Sequence, residues 1–76
     1  MGTRTTRIQK QEWLWQEINK GWLKDQQVFV EDLIARFELA MGSTERTGME
    51  ILKSFERAGR IEVVSDGVKN EIRPRG

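Results

Sequence analysis

The chain has 76 residues, room for one small domain, and its 13 Lys/Arg against 12 Asp/Glu leave a net charge of +1. It contains no cysteine and no histidine, which excludes disulfide frameworks, Cys/His zinc sites and nucleophilic triads with a histidine base. No apolar run has the length of a membrane span and no apolar signal core precedes a cleavage site, so the expectation is a cytoplasmic, intracellular protein held together by packing alone.

Residues 1–5 are polar and basic and read as a flexible arm carrying Arg4. Met1 to Thr6 also fits the loose N-myristoylation pattern, a short match that arises readily by chance. Thr6 and Gln9 have the spacing of a capping box, so a first helix is predicted from about Arg7 to Lys20. Helical periodicity gathers Ile8, Leu14, Trp15 and Ile18 on its core side, and Gly21 suits the left-handed position after its end. Trp22 is placed to fold back on the last turn. Trp13 falls on the side away from the core, where it is either an exposed contact or covered by the arm or strands; cover is the usual fate of a large aromatic.

Val28, Phe29 and Val30 form a short β-branched run that reads as a brief strand. Glu31 and Asp32 suit the first turn of a second helix, about Glu31 to Ala40, with Val30, Leu33, Ile34, Phe37 and Met41 at helical spacing. Gly42 reads as a stop, and Ser43 or Thr44 as the N-cap of a third helix, about 44–58, stopped in turn by Gly59. Arg60 to Ser65 and Val68 to Arg73 read as two strands joined at Asp66-Gly67, with Pro74 ending the second. A two-residue loop pairs Ile61 with Ile72 but sets Glu62 against Glu71; a three-residue loop with a bulge relieves the charge clash and separates the isoleucines. The first register is the expectation.

The third helix carries the informative pattern. At about 100° per residue, Gly48, Ile51, Leu52, Phe55 and Ala58 cluster on one side and must face the core, with Met49 a packing residue at the boundary beside the stripe. Arg46, Glu50, Lys53 and Arg57 fall together on the opposite side as a straight stripe, flanked by Thr47 and Ser54. Such a helix fits the major groove of B-DNA, where arginine pairs bidentately with guanine, and lysine and hydroxyls reach phosphates or base edges. Glu50 either accepts from a cytosine amino group or pairs with Arg46 one turn back. Ser43 and Thr44 stand at the helix N-terminus, where the first amides can hold a phosphate. The plainer reading is a solvated charged face. Against it stands the position of the stripe, on the second helix of a tight helix-turn-helix pattern. Lys69 and Arg73 on the hairpin, and Arg4, Arg7 and Lys10 near the start, are further phosphate contacts or ordinary surface charges.

Charge along the chain agrees with a polyanionic partner. Residues 1–24 carry net +3, residues 25–45 net −4 and residues 46–76 net +2, so the ends meet the partner and the middle turns away.

The stretches 31–37 (EDLIARF), 52–61 (LKSFERAGRI) and Asp66-Gly67 together resemble the winged helix-turn-helix family. The resemblance spans about residues 6–73. In size and order of elements the chain is also similar to the small transcription factors carried by archaeal plasmids and viruses. The implied fold is α+β: three helices, a short strand and a C-terminal β-hairpin wing, with 1–5 as arm and 74–76 as tail. The implied function is sequence-specific binding of double-stranded DNA at promoters, with helix three in the major groove, the wing on the phosphate backbone, no cofactor and no catalysis. No heptad seam offers itself for dimerisation, so a monomer is expected. Two departures are the link Leu39 to Gly42, longer than in the tightest turns of the family, and the acids Glu45, Glu50 and Glu56 on the third helix, more than many strong DNA binders carry. The rival is a winged-helix protein-interaction module that uses Trp13 and the acidic second helix.

Overall fold

Thr6 caps the first helix as the sequence requires. Its hydroxyl accepts the Gln9 N–H at 3.2 Å, and its own N–H donates to Gln9 Oε1 at 3.0 Å. The computed structural model describes residues 6–75. Helix α1 spans Arg7–Leu23 and buries Leu14 and Ile18 completely, with Trp15 half-buried beside them. Ile8 is 66% exposed instead of joining the core; it borders a shallow depression rimmed by Trp15, Phe55 and Arg60.

Gly21 does not end α1. It lies inside the helix, where a Cβ would collide with Cγ2 of Val28. Its lack of a side chain serves the close approach of the helix to the first strand. The left-handed residue that turns the chain is Asp25, at φ 57°, one of the few side chains that tolerate this region. Trp22 lies back along its own helix and also reaches the sheet: its ring meets Trp15 edge-on at 6.1 Å, and Nε1 donates to the Ile72 carbonyl at 3.2 Å.

Strand β1 is only Val28–Phe29, because Val30 already opens helix α2, Val30–Met41. Val30, Leu33, Ile34 and Phe37 form the buried stripe of α2. Gly42 caps α2 in the left-handed conformation at φ 59°, as expected of a C-terminal glycine. Because α2 continues through Met41, the link that looked long in sequence is mostly helix, and only residues 42–44 join it to α3, Glu45–Arg57. Helix α3 buries Gly48, Ile51, Leu52 and Phe55. Ala58 is exposed because the helix is already ending there as its C-cap. A Cβ on Gly48 would come within 2.5 Å of Ile34 Cδ1 and 3.0 Å of Phe37 Cδ2. The two helices cross there so closely that a larger residue would have to displace Ile34 or Phe37.

Strands β2, Ile61–Ser65, and β3, Asn70–Pro74, complete an antiparallel sheet in the order β1-β3-β2. The register differs from the expected one by two residues. Val63 faces Ile72, Glu62 faces Arg73 and Ile61 faces Pro74, while Val28 of β1 also pairs with Ile72. A shift of two keeps every side chain on its own face, so Ile61 and Ile72 remain in the core. It also replaces the expected Glu62–Glu71 opposition with Glu62 across from Arg73. The cause is the turn. Asp66-Gly67 is not a two-residue loop but the start of a four-residue connection, 66–69, closed by the Asp66 N–H donating to the Lys69 carbonyl at 3.1 Å. Asp66 Oδ1 accepts the N–H groups of Val68 and Lys69 at 2.9 and 2.8 Å, and this side-chain turn outcompetes the tight one. Pro74, expected to open a tail, is the last residue of β3, opposite Ile61 at the sheet's end.

The molecule is thus a small α+β domain of three helices and a three-stranded antiparallel sheet. Phe37, Leu14, Ile18, Leu33, Ile51, Ile61 and Ile72 are its largest fully buried side chains, and each such burial stabilises by roughly 1.5–3 kcal/mol. Among the described residues no polar or charged side chain is buried, and no helix is long and apolar enough to cross a membrane.

Candidate nucleic-acid interface

Burial of Gly48, Ile51, Leu52 and Phe55 fixes the rotation of α3, and with it the face that looks outward. Arg46, Glu50, Lys53 and Arg57 are all exposed on that face. The ion pairs among the described residues join Lys20 and Arg36 to Glu17, and Arg73 to Glu71. None involves the α3 stripe. Glu50 does not close on Arg46, although the spacing allows it. The three cations spread along about three turns of helix are therefore exposed and form no ion pair, although α3 also carries Glu45, Glu50 and Glu56.

The N-terminus of α3 is built by threonines. Thr44 is the N-cap: its Oγ1 accepts the Thr47 N–H at 3.3 Å and lies 3.2 Å from the Thr47 hydroxyl. Ser43, the other expected cap, is half-buried in the α2–α3 connection. The N–H groups of Glu45 and Arg46 have no backbone or side-chain acceptor among the described residues, as first-turn amides normally lack one. Thr47 is half-buried beside the stripe, and Ser54 donates its hydroxyl back to the Ile51 carbonyl at 2.8 Å.

The hairpin cations are engaged elsewhere. Lys69 Nζ lies 4.8 Å from the centre of the Phe29 ring, turned back over the sheet. Arg73 binds Glu71 Oε1 through Nε at 3.1 Å and Nη2 at 3.0 Å. The turn itself carries an acid, Asp66, held below the usual carboxylate range by the backbone N–H groups of Lys69 and Val68. A hairpin tip that presents Asp66 and the exposed Val68 is a poor phosphate clamp. The end of β3 next to the turn is tied to α2 instead. Glu31 accepts the Asn70 backbone N–H and side-chain Nδ2, and these bonds lower its pKa, with a smaller contribution from Lys69.

Arg7 opens α1 and is exposed; Arg4 lies outside the described residues. Trp13 is half-buried and packs on α2, its ring tilted against Phe37 at 5.9 Å; the arm lies outside the described residues. Met49 packs at the edge of the core. Sequence reasoning passed over Arg60. Its guanidinium lies 5.1 Å from the Trp15 ring and 5.8 Å from Phe55. Nothing local marks it, because the aromatic beneath it comes from α1, far away in the chain.

Comparison with protein-family profiles, with curated proteins and with solved structures finds no match to this chain.

Proposed function

We propose that this chain is a winged helix-turn-helix protein that binds double-stranded DNA sequence-specifically and regulates transcription at promoters. Helix α3 enters the major groove, the hairpin flanks it as the wing, and no cofactor takes part. The observation that carries the reading is the face of α3: Arg46, Lys53 and Arg57 are exposed and unpaired, opposite a fully packed side. The order of elements and the β1-β3-β2 sheet agree with a winged helix. Arg46 and Arg57 are suited to guanine edges, Lys53 to a phosphate or guanine, and Glu50 to a cytosine amino group. The free first-turn amides and the Thr44 and Thr47 hydroxyls suit a backbone phosphate. Since Lys69 and Arg73 already have partners, α3 supplies most of the contact energy and the wing mainly its shape.

The test is a titration of the chain with duplex DNA at increasing salt. Steep loss of affinity with salt, and a further loss in Arg46→Ala, support the reading. One feature favours a rival, a protein-interaction module: Leu39 is 88% exposed on the acidic second helix. That rival takes over where duplex binding is weak, indifferent to salt and indifferent to Arg46.

A further inference from the structure

Between α3 and the hairpin lies a cleft of about 290 Å³. Its floor is apolar, made by Val30, Met49, Leu52 and Val63. Four polar side chains also line it: Lys53 and Glu56 of α3, Ser65 of β2 and Asn70 of β3. They divide evenly by what they offer. Lys53 is a cationic donor, and the Ser65 hydroxyl, which accepts the Gly67 N–H at 3.4 Å, keeps its own proton to donate. Glu56 is an anionic acceptor. Asn70 commits Nδ2 to Glu31 at 2.9 Å, which sets its carboxamide and leaves Oδ1 to accept. Lys53 and Glu56 stand about one turn apart on the same helix, yet neither takes part in an ion pair among the described residues.

Such a set of groups selects a ligand by its charge pattern. A phosphate or a simple carboxylate gains Lys53 and Ser65 but meets Glu56 as a like charge. A simple ammonium gains Glu56 and Asn70 but meets Lys53. A ligand with both signs on neighbouring atoms and a hydrocarbon group beside them satisfies all four and also covers the floor. That is the constitution of an α-amino acid with an apolar side chain. The size agrees, since the cleft lies at the small end of the roughly 300–1,000 Å³ that ligand pockets span, which suits an amino acid better than a nucleotide.

We propose that this cleft binds a free α-amino acid with an aliphatic side chain, of about the size of leucine. Its carboxylate lies on Lys53 and Ser65, its ammonium on Glu56 and Asn70, and its side chain on Met49, Leu52 and Val63. Lys53 also stands in the outward stripe of α3. On the DNA-binding reading above, an occupied cleft therefore withdraws one cation from the duplex, and the amino acid acts as an effector that weakens DNA binding.

The experiment titrates the full chain with L-leucine, isopentylamine and isocaproate and follows the methyl resonances of Met49 and Val63 by NMR. Isopentylamine lacks the carboxylate and isocaproate the ammonium, while the hydrocarbon group is kept. Leucine is expected to bind with a Kd on the order of millimolar, as suits an open cleft, and each half-ligand roughly tenfold more weakly. Glu56 is exposed, so Glu56→Gln tests the ammonium contact without disturbing the core. It is expected to weaken leucine by a similar factor and to leave isocaproate no weaker, a pattern that general loss of structure does not produce. Equal affinity for the three ligands, or no methyl shift up to the solubility limit of leucine, overturns the site. A parallel duplex titration in saturating leucine is expected to show weaker binding and a salt slope smaller by about one. Methyl shifts with unchanged duplex affinity overturn the effector role. A chain that binds no duplex overturns the DNA-binding reading and leaves the site standing, because the methyl titration contains no DNA.

Discussion

Glu31 and Asn70, 39 positions apart in the chain, are joined by two hydrogen bonds: the Asn70 N–H donates to Oε1 at 3.1 Å and its Nδ2 to Oε2 at 2.9 Å. The first turn of α2 thereby holds the hairpin at the point where it leaves the sheet. The Glu31 carboxyl lies below its ordinary value of 4.5, chiefly because of the Asn70 side-chain bond. A carboxylate with a depressed folded pKa stabilises above its unfolded pKa, and that contribution is lost as pH falls through the folded value. The protection of the Asn70 amide against exchange, followed by NMR relative to an unstructured amide at the same pH, should therefore be full above pH 4.5 and fall as pH drops through the lower folded value. In Glu31→Gln this acid-dependent step disappears. Because the pair is exposed, global stability should change by no more than about 1 kcal/mol. An Asn70 amide indifferent both to acid and to the substitution would mean that the tie does not exist in solution.

Asp66 makes the same kind of prediction for the turn. Its carboxylate holds the Val68 and Lys69 amides, so Asp66→Ala should free the loop and speed exchange at both amides. Asp66→Asn, which keeps an acceptor oxygen, should preserve the turn while removing its pH dependence. Equal behaviour of the two variants would show that the carboxamide cannot replace the carboxylate here.

The cations should separate into two groups in DNA binding. Arg46→Ala should cost about 1–3 kcal/mol and relax sequence preference, as expected for an arginine on a base edge. Lys53→Ala should reduce the salt slope by about one. Lys69→Ala and Arg73→Ala should do less, since Phe29 and Glu71 already occupy those side chains. Titrations at several salt concentrations check the ranking. A larger loss at Lys69 than at Arg46 would transfer the contact to the hairpin.

Gly48→Ala should destabilise despite the better helix propensity of alanine. The gain is about 1 kcal/mol. The added methyl group meets Ile34 Cδ1, which can swing, and the Phe37 ring, which is fully buried and cannot. Overpacking of this type costs typically 1–3 kcal/mol, so the net expectation is a modest lowering of Tm together with altered near-UV dichroism. A rise in Tm would mean that α2 and α3 separate more easily than their packing implies.

Trp13→Ala should cost about 1–3 kcal/mol, since it removes a half-buried ring from the face of Phe37. Denaturant unfolding measures it. Affinity for DNA at a temperature where both proteins are folded should stay the same, which separates packing from contact.

The helices were readable because their signals are local. Thr6 and Gln9, Gly42, Thr44 and Gly59 mark ends by chemistry that acts within a few residues, and the stripes of α2 and α3 repeat at the helical period. The rotation of α3 follows from its apolar residues, so the outward side of Arg46, Glu50, Lys53 and Arg57 was legible too. The hairpin was not. Asp66-Gly67 supports more than one loop, and the choice depended on hydrogen bonds from the Asp66 side chain that composition does not rank.

What the sequence determined by itself is which residues within α2 and α3 turn inward, because helical periodicity sorts apolar from charged positions before any long-range contact exists. What only the tertiary structure decided is which cations remain free. Lys69 and Arg73 look as available as Arg46 and Lys53 along the chain. A ring from β1 and a carboxylate on β3 engage the first two, and nothing comparable reaches the second two among the described residues. The reason is physical: burial preference is a property of each side chain, whereas compensation of a charge depends on which other groups the folded chain brings within a few ångströms of it.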